Sequence, residues 1–156
     1  MKLPMDLINK TAKEFNIDPK LIAAICVVES EGDTWSLRYE GGWKTFLTTK
    51  YWANMVKISD STERICQQCS WGLMQVMGTV ARELGMKDDL TQLCRPDIGL
   101  FYGCKKLKTL LNKYDTESAI SAYNAGTPKR NSDGKFRNQE YVDKVLKAWS
   151  EIIKSE

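Results

Sequence analysis

The stretch Asp18-Pro19-Lys20-Leu21-Ile22-Ala23-Ala24-Ile25-Cys26-Val27-Val28-Glu29-Ser30 sets the reading of the fold. Asp18 stands where a helix is capped and Pro19 where it begins, a position at which the missing N–H costs nothing. The helix should run to about Ser30, and from Leu21 to Val28 it is apolar on every side. A helix with no polar face belongs inside a core. Glu29 follows those eight apolar residues directly and shares a face with Ile22, Ile25 and Cys26 at helical spacing. Partial desolvation raises a carboxyl pKa, which lets a glutamic acid hold a proton near neutral pH and pass it to a leaving group. Position alone leaves a second reading open, in which Glu29 ends a buried helix and turns out to water.

Outward from this helix the periodicity stays helical. Leu7, Ile8, Ala12 and Phe15 line one face of a preceding helix that stops before Asn16-Ile17-Asp18. Phe46 to Ile58 reads as a helix, and Asp60 with Glu63 reads as a capping box that starts another ending near Cys69. Thr79 to Leu84 is a short helix stopped by Gly85. Pro96 opens a long helix with Leu100, Cys104, Leu107, Leu111 and Tyr114 on one stripe, and Gly126 ends a shorter one holding Ala119, Ile120, Ala122 and Tyr123. Thr127 to Asn138 is a polar loop, and Tyr141 to Ile153 carries a clean amphipathic pattern. Trp35, Leu37 and Tyr39 alternate ahead of Gly41-Gly42, which predicts a hairpin within Thr34 to Trp43. The expected architecture is mainly α, one domain over residues 1–156, with a small or absent β-hairpin.

Composition narrows the function. The 156 residues are 42% hydrophobic with 10 Gly and 4 Pro, as in a compact folded chain. Net charge is +3, from 23 basic and 20 acidic residues, too balanced for a nucleic-acid binder and mildly favourable toward an anionic polymer. The longest apolar run is too short to span a bilayer, so no stable membrane insertion is expected, and no signal peptide is recognised, which implies synthesis in the cytoplasm. Five cysteines, an odd number, argue against a disulfide framework. Cys66-Gln-Gln-Cys69 has no second knuckle at zinc spacing and there is no His, so neither a metal nor a cofactor is expected.

Two further segments carry polar groups suited to a cleft. Ser70-Trp71-Gly72-Leu73-Met74-Gln75 sets an amide after a glycine turn beside large apolar side chains, although such a run is often ordinary packing. Tyr123-Asn124-Ala125-Gly126 ends a helix with two hydrogen-bonding side chains, and also reads as a plain C-cap. Together Glu29-Ser30, Gly72-Leu73-Met74-Gln75 and Tyr123-Asn124-Ala125-Gly126 resemble, in order, the three signature motifs of the soluble lytic transglycosylase family, a relative of goose-type lysozyme. The resemblance extends from about Asp18 to Val145 and implies a lysozyme-like fold. It implies that Glu29 is the single catalytic carboxyl, that Gln75 and Tyr123 hold the N-acetyl sugar next to the cut, and that Met74 and Asn124 shape that pocket. Ser30, Tyr39 and Glu40 complete the expected substrate contacts. The segment Ser70 to Met77, with Arg38-Tyr39-Glu40 upstream, is more similar to phage-encoded members, either endolysins or virion-associated enzymes.

Bacterial members usually have a much shorter connection between the first two motifs, whereas here the span holds Trp35, Tyr39, Glu40, Trp43, Tyr51 and Trp52. Aromatic residues at these spacings are expected mainly in a core, with a sugar-stacking wall as the alternative. The implied reaction cuts the bond from N-acetylmuramic acid to N-acetylglucosamine and closes a 1,6-anhydro ring, with peptidoglycan as partner and the cell wall as place of action. A monomer is expected. Two other readings stay open: a muramidase with Glu40 as second carboxylate, and a glycan-binding virion module without activity. Glu31 and Asp33 are expected as solvated loop acids, and Lys105, Lys106, Lys108, Lys113, Lys144, Lys147 and Lys154 as solvated helix faces.

Overall fold

The structure, a computed structural model, describes residues 3–154. It is mainly helical. The helices are α1 (Met5–Phe15), α2 (Pro19–Ser30), α3 (Thr49–Val56), α4 (Asp60–Gln67), α5 (Gly78–Glu83), α6 (Pro96–Lys113), α7 (Thr116–Ala125) and α8 (Gln139–Lys154). A 3-10 helix, Leu90–Cys94, precedes α6 without a clear signal in the sequence. The strands β1 (Leu37–Tyr39), β2 (Cys69–Trp71) and β3 (Val76–Met77) form one antiparallel sheet in the order β1-β2-β3. Among the described residues no helix is long and apolar enough to cross a membrane.

The described residues divide into two compact units, 29–103 and 3–28 with 104–154, so α2 and α6 each contribute to both. In the second unit, α1 buries Ile8 and Ala12 and stops at Asn16, whose left-handed backbone (φ 51°) returns two N–H bonds to the helix end. The Asp18 carboxylate accepts from the Lys20 N–H at the start of α2 and also from the Trp149 indole of α8 at 3.0 Å. Leu21 through Cys26 are buried and Val27 and Val28 half-buried, so the all-apolar run is core over most of its length. Asp115 caps α7 by accepting from the N–H and the hydroxyl of Ser118, and Gly126 ends it at φ 80°. Val142 and Val145 of α8 are buried.

The first unit departs from the sequence reading in several places. The hairpin expected within Thr34 to Trp43 does not form; β1 pairs instead with β2, Tyr39 opposite Cys69 and Leu37 opposite Trp71. The tight hairpin is β2-β3 around Gly72-Leu73-Met74-Gln75. The helix expected over Phe46 to Ile58 starts only at Thr49, because Thr48 is left-handed and the Gln67 amide holds both backbone groups of Leu47. Helix α4 ends at Gln67, since Cys69 is already in the sheet. Its cap is Ser59, which accepts from the Thr62 N–H, rather than an Asp60 and Glu63 box. Glu63 is turned inward to a buried ion pair with Arg82 of α5, at 2.8 and 2.9 Å, and accepts from Gln67 as well. This pair ties together the helices on either side of the β2-β3 hairpin.

Candidate active site

Glu29 occupies the last turn of α2 and is half-buried, between the closed helix interior and open solvent. The next residue, Ser30, is buried and its hydroxyl donates to the Leu73 carbonyl at 2.8 Å. The end of α2 is thereby fastened to the turn of the second motif. That turn needs its glycine, because Gly72 lies at φ 71° and a Cβ there would run into the Leu93 carbonyl oxygen.

Gln75 is also left-handed, at φ 46°, a strained state for a residue with a side chain. Three bonds hold it: its N–H to Gly72 O at 3.2 Å, and its Nε2 to Gly72 O at 3.0 Å and Ser36 O at 3.1 Å. The amide thus gives its N–H groups to the backbone and keeps its carbonyl oxygen for other partners. Met74 is fully buried and fills the space left by Gly103, where any Cβ would collide with its side chain. Its side chain points into the core instead of facing solvent.

The same framework reaches Tyr39 and Glu40. Gly72 N–H donates to Ser36 O at 2.8 Å, one residue before β1. Glu40 N–H donates to Gln68 O, and a single Glu40 carboxylate oxygen accepts from Arg38 Nε at 2.6 Å and from Ser70 Oγ at 3.1 Å. Glu31 and Asp33 are exposed, and Asp33 accepts from the Trp35 N–H. Within this unit, Ser30, Gln75, Tyr39 and Glu40 lie on one hydrogen-bonded framework, and Glu29 and Met74 are chain neighbours of its members.

Tyr123 and Asn124 belong to the second unit. Tyr123 is buried, and the Lys106 ammonium sits 4.0 Å from its ring centroid while donating to its carbonyl at 2.6 Å. The expectation of a solvated lysine face on α6 is corrected here: Lys105, Lys106 and Lys108 are half-buried, and Lys108 donates to Asn16 O. The charged ends of Lys106 and Lys108 thus reach backbone carbonyls. Lys144 and Lys147 on α8 are exposed and pair with glutamates one turn away. Asn124 is exposed and accepts from Asn138 Nδ2 at 3.0 Å; Asn138 also exchanges bonds with Ser121.

The aromatic insertion is corrected as well. Trp35 is 74% exposed, Tyr39 59% and Trp43 37%, and Tyr51 is exposed too, so these rings are not core. Only Trp52 of the group packs inward, against the Arg82 guanidinium. Among residues that the sequence did not nominate, Lys106, Asn138 and Gln68 all act on site residues. No local pattern identifies them, because their partners are remote in the chain.

All five cysteines are free. Burial, then the charges of Cys69 and Glu63, pushes the Cys66 thiol up to about 11, and burial pushes Cys104 up to about 12. Such thiols stay protonated at neutral pH and are poor nucleophiles. Among the described residues no group of three or more His, Cys, Asp or Glu is placed to hold a metal ion.

Comparison with known proteins bears on this arrangement. The family described as "Transglycosylase SLT domain" matches residues 6–145. A protein of Enterobacteria phage PRD1 named "Transglycosylase" is 25% identical over 143 residues, which cover 91% of this chain. The chain spans only 41% of that relative's length. No solved structure matches.

Proposed function

The chain belongs to the transglycosylase SLT family, and on that premise we propose that residues 1–156 form one lysozyme-like domain that cleaves peptidoglycan glycan strands, with Glu29 moving the proton. The observation that carries the reading is the junction of the first two motifs. Glu29 stands half-buried at the end of a buried helix, and its neighbour Ser30 is bonded to the strained turn that presents Gln75. An acid fixed at the edge of a closed interior is positioned to protonate a leaving group without being fully hydrated.

Glu29 gives its proton to the oxygen linking N-acetylmuramic acid to N-acetylglucosamine as the bond from the anomeric carbon to that oxygen breaks. The resulting carboxylate takes the proton of the muramic C6 hydroxyl, whose oxygen bonds to the anomeric carbon. The products are a 1,6-anhydromuramic end and a free N-acetylglucosamine hydroxyl, with no water consumed. Gln75 and Tyr123 hold the N-acetyl sugar beside the cut, and Met74 and Asn124 shape that pocket; Tyr123 and Asn124 enter through the sequence motif alone. Ser30 fixes the acid, and Tyr39 and Glu40 extend the contact along the strand. Glu40 has one oxygen engaged by Arg38 and Ser70, which favours a sheet-bracing role over that of a second catalytic carboxylate. The phage relative's name, "Transglycosylase", supports glycan-strand cleavage; action at the cell wall as a monomer is part of this proposal.

The test is mass spectrometry of muropeptides released from purified peptidoglycan. Products lacking one water at the muramic end are expected, and Glu29→Gln should lower their yield by roughly 10²- to 10⁴-fold. Cleavage by Glu29→Gln at the parent rate would remove the assignment. Ordinary reducing ends would replace transglycosylation with hydrolysis.

A further inference from the structure

We propose that Tyr39 and Trp43, held by Gln68, form a rigid aromatic platform that stacks on a sugar ring of the glycan strand away from the bond being cut. The proposal rests on the peptidoglycan-cleaving reading of the site and extends its substrate contact into the insertion between the first two motifs.

The loop that follows β1 is held by hydrogen bonds at Glu40, Trp43 and Thr45. Glu40 N–H donates to Gln68 O and Trp43 N–H to Glu40 O, both at 2.9 Å. The Gln68 amide then bridges the two aromatic residues, donating to Trp43 O at 2.9 Å and accepting from the Tyr39 hydroxyl at a long 3.5 Å. The Trp43 indole N–H is turned back onto Thr45 O at 2.7 Å. One side of the Tyr39 ring lies against Gly41, where a Cβ would come within 3.0 Å of it. Both rings nevertheless keep much of their surface in solvent. Exposed aromatic rings that are already immobilised bind with little further loss of side-chain freedom.

The occupant is argued from chemistry and continuity. A pyranose has an apolar C–H face rimmed by hydroxyl and amide groups, so it suits a ring bordered by hydrogen-bonding side chains. Here the border is the Gln68 amide, which meets both aromatic residues. The strand leading into the platform is the one that Gly72 and Gln75 grip through Ser36 O. The platform is therefore continuous with the turn of the candidate active site, along which a polymer would pass. Two rings on one turn are also small beside the roughly 800 Å² per partner that a stable protein interface needs.

The experiment measures binding in the Glu29→Gln chain, with purified peptidoglycan by co-sedimentation and N-acetylglucosamine oligomers by tryptophan fluorescence. Tyr39→Ala and Trp43→Ala should each weaken binding by roughly 2- to 10-fold and the double variant by more, the range expected for loss of one aromatic stack. Gln68→Leu, which keeps both rings but frees them, should weaken binding by a smaller factor. Ile65→Ala, which removes an exposed aliphatic side chain from α4, should leave binding unchanged, and thermal melting identifies any variant that misfolds. The proposal is overturned if the folded double variant binds within twofold of its parent. It is equally overturned if the substitutions break up a self-associated form seen by sedimentation velocity while glycan binding persists. Failure of the Glu29 assignment is separable, because it shows as retained cleavage in the chain carrying Glu29→Gln alone.

Discussion

Arg82 and Glu63 have no exposed side-chain surface and meet at 2.8 and 2.9 Å, so Arg82→Met leaves a buried carboxylate without its counter-ion. Removing one partner of a buried ion pair costs about 3–5 kcal/mol. Arg82 Nη1 also donates to Met86 O at 2.8 Å and Asp88 O at 2.7 Å. Loss of those bonds adds about 1 kcal/mol, since Asp88 lies at the surface where water can replace the donor. The expected destabilisation is therefore about 4–6 kcal/mol, against a total stability of about 5–15 kcal/mol for an ordinary domain. For a chain of this size it corresponds to a fall in Tm of about 10–20 °C. Glu63→Leu combined with Arg82→Met removes the stranded charge and should recover part of the loss, because it is the unpaired charge and not the missing contact that dominates. Urea melts followed by tryptophan fluorescence measure both variants, and Trp52, whose ring centroid lies 4.8 Å from the Arg82 guanidinium carbon, is a local reporter. An Arg82→Met chain within about 1 kcal/mol of the parent, or a double variant less stable than Arg82→Met, would refute the reasoning.

Three other outcomes follow from the geometry. Gly72→Ala adds a collision with the Leu93 carbonyl to a left-handed backbone, whereas Gly126→Ala meets open space and carries the backbone penalty alone; the first should cost about 2–5 kcal/mol and the second about 1–2 kcal/mol, and equal losses in chemical denaturation would contradict this. Lys106→Met removes the cation over the Tyr123 ring and the bond to its carbonyl. Turnover of peptidoglycan should fall several-fold more in Lys106→Met than in Lys106→Arg, with folding weakened by about 1 kcal/mol; unchanged turnover would show that Lys106 does not position Tyr123. The backbone and side-chain bonds from Ser118 hold the Asp115 carboxyl below its usual pKa. A folded pKa below the unfolded one means that the contribution is present above the unfolded pKa and is lost as pH falls through the folded value. Asp115→Ala should therefore be less stable than the parent at neutral pH, and the gap should close in acid below the ordinary carboxylate range. A gap that persists there would assign the effect to something other than ionisation.

Local chemistry made much of this chain legible. The start of α2, the all-apolar run to Val28, the glycine stops after α5 and α7 and the stripe of α6 each rest on residues within a few positions of one another. The placement of Glu29 at the end of a buried helix rests on the same short-range rule. Capping already shows the limit: the sequence offered Asp60 and Glu63 as a box, but Glu63 forms a stronger partnership with Arg82, nineteen residues away. A residue with two possible partners goes to the one that the tertiary fold supplies in a desolvated setting.

The sheet is a product of that tertiary level. Alternation marked Leu37 to Tyr39 as strand-forming, yet its partner is Cys69–Trp71, which had been counted as the end of a helix and the approach to a motif. Pairing over such a distance leaves no short-range trace, and without it neither the left-handed Gln75 nor its bonds to Gly72 O and Ser36 O would be in place. Apolar character alone predicts a core place for Tyr39 and Trp43, but both are tied at the surface by hydrogen bonds with Gln68, and the bare backbone of Gly41 leaves room for the Tyr39 ring. Sequence by itself therefore determined most of the helices, the motif order and the place of the Glu29 acid at a helix end, all properties of local spacing. Only the tertiary structure decided what braces that acid and what surrounds it, because those contacts join residues that the chain itself keeps far apart.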